Sequence, residues 1–528
     1  MNMKKKRTIF IALICALSLG IIAACTVNES QYPTPLSPTE VAVPTSNGNP
    51  RTESPSTNNT LIIATANETP SIAPARHTAA AGSFKNTMTH NGLTKLCPDT
   101  LQPIPDLAIE WVALSDTLFK FRLHEGILFH NGEELTAYDV VASWYYVRNY
   151  PQQMLAHGSA VGIEVVDRYT VIIDTGVPNA SLMFDLTGHG NFIMPKSLIE
   201  LGHDFTASPI GSGPFVFDEW RLGDSLHFSA FEDYFLPERA ANIENVVWRI
   251  IPEGASRTIA LETGEVDLIV EVPYPDIARM QQNPELTVFM RPGTAFHHLV
   301  LNTTRPQFEN IIVRQAINMA INQDELVAVA FDGLAVPTRA QVPIIFSGTT
   351  YEGVLPFDPE GARALLAENN IDPETLAFDM IASSEERRRL AEVVQAQMLD
   401  IGIPTTITLN DHATTIQRML DGDYDTGFGM WSASFLISTM RGVFYGGVEN
   451  RSRINNPELN DLITQAVATI DPDARDAAFE AASVVANEYV GIVPTHLAYA
   501  IRAFNARLSA PEIGPTGAMN LNMFYWMD

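Results

Sequence analysis

Two arginines in the second half of the chain have the chemistry to hold an anion. Arg339 lies between Thr338 and Ala340 in a proline-flanked loop, and Arg441 follows Trp431 by ten residues. A guanidinium grips a carboxylate or phosphate with two parallel N–H donors. Lysine cannot share the task, because Ser197 to Asp528 contains none. An anionic group held there must meet arginine, histidine or backbone N–H groups, and Schiff-base chemistry is excluded. His297 and His298 raise the question of a metal. Adjacent residues on a strand point to opposite faces, however, so the pair cannot easily ligate one ion. No HExxH, His-x-His or cysteine pair occurs, and no resident metal or other cofactor is expected. A metal carried inside a small organic chelator would need few protein ligands and stays compatible with this chain.

Catalytic signatures are missing. There is no nucleophile elbow, P-loop, dinucleotide fingerprint or zincin helix, and the nearest approach, Gly429 to Ala433, reads G-x-x-S-A without the second glycine. The expectation is a binding protein, not an enzyme.

The elements that must position these side chains begin well inside the chain. Lys4, Lys5, Lys6 and Arg7 precede an apolar run from Thr8 to Ala24, which falls short of the roughly 20 residues that span a bilayer. Ile22-Ala23-Ala24-Cys25 resembles the bacterial lipobox, in which the cysteine thiol receives a diacylglyceryl group and becomes the new N-terminus. Residues 1–24 are therefore expected to be a signal peptide and Cys25 the lipidation site. Residues 25–59, rich in Pro, Ser, Thr and Asn, cannot bury a core and should form a mobile tether. This places the protein outside the cytoplasmic membrane, anchored to it by lipid, with a folded body from about Leu61. Cys15 leaves with the leader and Cys97 stands alone, so no disulfide framework exists; Cys97 is expected to be a small buried hydrophobe.

Composition supports a globular body of two or three core-bearing units: 528 residues, 46% hydrophobic and 18% charged. The formal charge is -28, and loss of a leader carrying four cations and no acid leaves -32. Such a surface disfavours nucleic acid and anionic headgroups. Short strands alternate with helices. Trp111 to Leu123 reads as a hairpin, Val161 to Asp174 as paired strands about Asp167-Arg168, and Thr136 as the cap of a helix through Trp144. Val246 to Ile251 and Val266 to Val270 read as strands and Ser256 to Thr263 as a helix. Helical spacing recurs in Val313 to Val329, Pro359 to Glu368, Glu385 to Leu399, Thr414 to Leu420 and Ala474 to Glu488.

Six landmarks then occur in order: Pro105-Asp106-Leu107-Ala108 with Trp111; Phe121 to Asp139; Gly211-Ser212-Gly213-Pro214-Phe215; Val313-Arg314-Gln315-Ala316 with Ala320-Ile321; Phe357-Asp358-Pro359 with Ala362 and Leu365-Leu366; and Asn455-Asn456-Pro457-Glu458-Leu459. Together they resemble the extracytoplasmic solute-binding proteins of ABC importers in the oligopeptide, dipeptide and nickel group. Each also has a purely structural reading. Gly126 and Gly132 supply turns, Thr136 and Asp139 cap a helix, Gly211 and Gly213 turn the backbone before a strand, and Arg314 and Gln315 ride a helix whose other face packs.

The resemblance implies a two-lobed α/β fold of the type II periplasmic-binding-protein kind, with an extra subdomain and a ligand cleft between lobes joined by crossing strands. It implies lobe 1 over 60–288, lobe 2 over 289–495 and a return over 496–528, with crossings near Phe289 to Asn302 and Ile492 to Asn505. His297, His298 and Asn302 in one crossing, and His496 and Tyr499 in the other, could face the cleft. It further implies capture of a peptide-like solute by hinge closure and delivery to the permease and ATPase subunits of an importer. A nickel chelate, an opine-like compound or a glycoside could be taken in the same way, and a sensor signalling to a membrane receptor would use the same closure. Peptide-binding relatives carry a "W.ADY" element whose aspartate pairs with the peptide ammonium. Here Trp431 is kept, followed by Ser432, and Ser434 replaces the acid. A buried ammonium without a carboxylate costs on the order of 3 kcal/mol or more, so an ordinary peptide N-terminus needs another acid.

Overall fold

The computed structural model describes residues 59–69, 71–74, 80–150, 160–432, 436–445 and 450–527. The leader, Cys25, the tether up to residue 58 and Ser434 lie outside the described residues. Among the described residues, no helix is long and apolar enough to cross a membrane.

The body opens with strand β1 (Thr60–Thr65). The hairpin expected over Trp111 to Leu123 is β2 (Ala108–Ala113) with β3 (Leu118–Leu123), and helix α1 (Ala137–Val147) starts at Thr136. The backbone N–H and hydroxyl of Thr136 both donate to Asp139 Oδ2 at 2.8 Å, which fixes the helix start. The next pair, β4 (Gly162–Asp167) and β5 (Thr170–Asp174), turns at Asp167-Arg168 as the alternation predicts. These four strands form a separate sheet ordered β2-β3-β5-β4. It buries Phe119, Phe121, Val171 and Ile173 against Val140 and Trp144 of α1, each contributing about 1.5–3 kcal/mol.

Strands β6 (Phe215–Arg221), β7 (Ser225–Ala230), β8 (Asn245–Ile250) and β9 (Leu268–Ile269) follow, then the long β10 (Leu286–Leu301). After β10 come α2 (Ile311–Ala320), α3 (Gln323–Phe331), β11 (Ala335–Pro337), α4 (Pro359–Glu368), β12 (Phe378–Ala382), α5 (Glu385–Asp400) and β13 (Thr405–Leu409). Then come α6 (His412–Asp421), β14 (Thr426–Ser432), α7 (Pro457–Ala468), α8 (Pro472–Tyr489) and β15 (Ile492–Asn505), followed by a C-terminal segment with a short strand pair, Leu508–Ser509 with Tyr525–Trp526. The periodic stretch Val313 to Val329 is two helices, not one. Asn322 ends the first by capping the second, its side chain accepting from Glu325 N at 3.1 Å.

The main sheet runs β13-β12-β14-β10-β15-β9-β1-β8-β7-β6, with β11 added on β15. Its two halves carry separate cores, one including Leu61, Ile63, Trp248 and Leu268, the other including Leu299, Leu301, Val313, Ile317, Leu390 and Val394. Among the described residues only β10 and β15 belong to both, which makes the body two-lobed. They pair antiparallel from Leu286↔Asn505 to Pro292↔Tyr499, and again from Phe296↔Leu497 to Val300↔Ile492, with a register shift between. At the shift the C-terminal segment docks: Arg291 Nη1 donates to Ile513 O at 3.2 Å, Thr294 N to Pro515 O at 3.1 Å, and Arg502 Nη2 to Gly517 O. Gly293 is required there, since a Cβ on it would stand 2.5 Å from Ala498 O.

One motif reading is extended and two change. Gly211 and Gly213 stand at a bend over residues 212–214 that leads into β6, as read from the sequence, and close packing adds a second demand: their Cβ positions would stand 2.2 Å from Thr89 O and 2.4 Å from Met88 O. Arg314 is not on the open side of its helix. It is 1% exposed and donates to the carbonyls of Phe308, Glu309, Tyr489 and Val490 at 2.8–3.1 Å. Cys97 is partly exposed, not buried, and a hydrogen bond with Thr100 holds its thiol pKa below the usual value.

Candidate functional site

The C-terminal end of β12 leads directly into α5, and the end of β13 into α6, so both helices start on the same edge of the sheet. Ser384 caps the first, accepting from Arg387 N at 3.2 Å, and Asp411 caps the second, accepting from Thr414 N at 2.9 Å. Between them, β10 and β14 pair with His298 opposite Gly429 and Phe296 opposite Trp431. These elements enclose a cavity of about 190 Å³ lined by His298, Arg387, His412, Met419, Met430, Trp431, Arg451 and Ser452, among others. Complete small-molecule pockets span roughly 300–1,000 Å³, so this one suits a small solute or one end of a larger one.

Two glycines make room for its aromatic walls. A Cβ on Gly442 would stand 2.3 Å from the Trp431 ring, and one on Gly429 would stand 2.6 Å from His298 Nε2. Trp431 packs on a cluster that includes Phe296, Met440 and Phe444, yet its Nε1 is buried without a hydrogen-bond partner. His298 is 6% exposed and its Nδ1 also lacks a partner. Burial, reinforced by neighbouring His297, pushes the His298 pKa down to about 3, so the ring is neutral at neutral pH. Leaving such groups unsatisfied is costly, which marks both as points where a ligand can contribute.

The cations come from two directions. Arg387 is the third residue of α5; its Nη1 donates to Ser383 Oγ at 2.9 Å. Burial lowers its pKa, Glu386 raises it and the like charge of Arg451 lowers it, so the two guanidiniums sense one another. Arg451 sits in a loop fixed from behind: the Tyr424 hydroxyl donates to Arg451 O, and the Thr303 hydroxyl donates to Ser452 O at 2.8 Å and Arg453 O at 2.9 Å.

The structure sorts the residues singled out from sequence. Trp431 and His298 line the cavity. Ser432 ends β14 beside it, exposed and opposite Ala295. Arg441 is exposed on a single wide turn, Met440–Phe444, and its charge acts on Asp185. Tyr499 stands opposite Pro292 at the crossing, away from the cavity lining.

Two expectations are corrected. Arg339 is not a free anion receptor, because its guanidinium donates to Leu355 O at 2.9 Å, Ile321 O at 2.8 Å, Asn318 O at 2.8 Å and Gln323 Oε1. Asn302 is fully buried and does not face a ligand. Its amide donates to Gly422 O at 3.2 Å and Tyr424 O at 2.9 Å, and its oxygen accepts from Thr304, so it anchors the turn that carries Tyr424. The adjacent histidines do point apart: His297 stacks on His496 at 4.3 Å while His298 lines the cavity.

Sequence reasoning missed Arg387, His412 and Arg451. Arg387 lies in Glu385-Glu386-Arg387-Arg388-Arg389, which reads as a solvated helix face. Its one distinguishing signal is position, immediately after a buried strand end.

The model of the bacterial extracellular solute-binding proteins, family 5, matches residues 102–442. Heme-binding protein A of Haemophilus influenzae is 25% identical, over 88% of this chain and 91% of its own length. Di/tripeptide-binding protein 2 of Pseudomonas aeruginosa is also 25% identical, over 88% of this chain and 94% of its own. Among solved structures, HbpA2 from Haemophilus parasuis superposes with a TM-score of 0.79 at 23% identity, covering 89% of this chain and all of that one.

Proposed function

This chain belongs to the bacterial extracellular solute-binding proteins of family 5, and from that premise we propose that it is the receptor of an ABC importer, capturing a peptide-like small solute and presenting it to the membrane permease. The supporting observation is the cavity beside Trp431, where two buried polar atoms without partners meet two arginines inside an acidic protein. The indole offers a stacking face and a donor, neutral His298 a second polar contact, and Arg387 with Arg451 a charge for an acidic group.

The two-lobed body suits capture by closure. β10 and β15 join both halves of the sheet and give a hinge at their register shift. In this reading residues 1–24 are removed on export, and Cys25 carries the lipid. Residues 25–59 form the tether, 60–288 and 289–495 make the lobes, and 496–528 return to the first. Two acyl chains hold such a receptor stably where one would not. No catalytic step is assigned.

Thermal-shift screening of the body from residue 57 onward against peptides, glycosides, opine-like compounds and metal chelates tests this. Saturable stabilisation by one class without turnover is expected. Conversion of any bound compound, or no stabilisation by any class, would overturn the reading.

A further inference from the structure

The apolar cluster on which Trp431 packs is built almost wholly from the second half of the chain, with Phe296, Met440, Val443, Phe444 and Leu459 among its buried members. Among the described residues, two buried members reach it from the first half: Leu101 and Phe184. Phe184 lies on the single-turn helix Leu182–Asp185. Leu182 and Leu186, one turn apart, are buried in the first half's own core with Phe119 and Phe121, while Phe184 between them faces the other way, into the second half's cluster. Leu101 sits at the turn between two short paired strands, Thr94–Leu96 and Pro103–Pro105, where its N–H donates to Cys97 O at 3.0 Å. Its φ is +55°, a left-handed conformation that a bulky residue adopts only when its surroundings impose it. Polar contacts lie beside the two side chains. Ala180 N donates to Val467 O at 2.7 Å, satisfying one of the last-turn carbonyls that helix α7 leaves open, and the charge of Arg441 acts on Asp185.

We propose that Leu101 and Phe184 form a clasp between the lobes, seated in this cluster when the body is closed and withdrawn when it opens, and that Trp431 sets how firmly it holds. Neither side chain lines the cavity. The link is the wide turn Met440–Phe444. Its Gly442 lies against the Trp431 ring, its Val443 lines the cavity, and its Met440, Val443 and Phe444 belong to the cluster that receives Phe184. A solute that orders the indole therefore orders the seat of the clasp, and by linkage a seated clasp holds the indole ready. The strained backbone at Leu101 fits a contact that closure completes, because the apolar burial that offsets it comes from the other lobe. The control by solute rests on the cavity beside Trp431 being the solute site and on β10 and β15 being the hinge.

Hydrogen–deuterium exchange and small-angle scattering on the full chain, without added solute, test it. Leu101→Gly removes the strain and the side chain together, Phe184→Ala removes the second side chain, and Phe184→Leu restores an apolar one. In Leu101→Gly and Phe184→Ala, exchange is expected to rise about tenfold over residues 179–187 and 440–445 while β1 and β3 keep their protection, and the radius of gyration should grow. Phe184→Leu should return most of the protection. Trp431→Ala should raise exchange over residues 179–187 from the far side of the contact. An unchanged profile in both Leu101→Gly and Phe184→Ala would overturn the clasp, as would exchange rising evenly across the body, the mark of a merely structural role. Unchanged protection of residues 179–187 in Trp431→Ala would overturn its control by Trp431. If exchange opens as expected while no solute class stabilises the protein, the clasp stands and the receptor reading falls. If a solute binds and the clasp variants exchange as the wild type does, the receptor stands and the clasp falls.

Discussion

The six-membered ring of Trp431 lies directly over Gly442, so close that a single added carbon on the glycine would stand 2.3 Å from it. The contact joins β14 to the wide turn Met440–Phe444 and fixes where the indole can sit. Gly442→Ala must therefore displace the ring or the turn. The expected cost is about 1–3 kcal/mol of stability, with a shift in tryptophan emission and weaker solute binding. An unchanged Tm and emission spectrum would show that the ring is not held there.

Trp431 itself serves packing and the cavity, and two substitutions separate those roles. Trp431→Phe keeps an aromatic face and loses the Nε1 donor; Trp431→Ala loses both. Solute affinity should fall by about 1–3 kcal/mol in the alanine variant and by less in the phenylalanine one. Calorimetry on both, beside their melting curves, checks the order. Equal affinity in all three proteins would remove Trp431 from the site.

Asn302 predicts a stability effect with a binding consequence at a distance. Asn302→Ala removes the amide donor to the carbonyls of Gly422 and Tyr424, which then keep only the Arg305 guanidinium, so a net loss of about 0.5–1.5 kcal/mol per hydrogen bond is expected. Because Tyr424 in turn holds the backbone of Arg451, affinity for an acidic solute should drop with it. Arg339→Met provides the contrast: it frees carbonyls of residues outside the cavity lining, so Tm should fall while affinity per folded molecule stays constant.

The pH dependence follows from histidines that folding keeps neutral. Burial lowers His297 to about 4, His298 to about 3 and His496 to about 2, from 6.5. A histidine lowered in the folded state binds protons more readily when unfolded, so stability is full above about 6.5 and is lost as pH falls toward these values. Asp185 works in the opposite sense. Burial raises it to about 6, so its contribution is greatest at low pH and is lost as pH rises through 6. Melting curves should show Tm falling from pH 7 to pH 4, with a shallower fall in His496→Phe, and Asp185→Asn should raise Tm at pH 8 more than at pH 5. A flat wild-type profile over that range would contradict the burial of these rings.

Local pattern made much of this fold legible. The hairpins at Trp111 to Leu123 and Val161 to Asp174, the cap at Thr136 and the helix Pro359–Glu368 each depend on neighbours in sequence, and each is where periodicity puts it. Trp431 and His298 were visible as side chains on strands that had to face something. Arg387 and Arg451 were not, because their importance comes from being brought together by β12, α5 and a loop 64 residues apart in sequence. Gly211 and Gly213 show the same limit. A glycine placed for the backbone that lies over it cannot be told from a turn glycine until that backbone, here residues 88–90, is known.

The docking of residues 513–517 onto the crossing strands makes the end of the chain a splint. Arg291, Thr294 and Arg502, all on β10 or β15, are tied to its carbonyls. In the proposed hinge, the stiffness of the joint between the lobes would then depend on a segment that belongs to neither crossing strand. Loosening it by substitution at Pro515 or Gly517 would retune how readily the body opens without touching a single residue of the cavity.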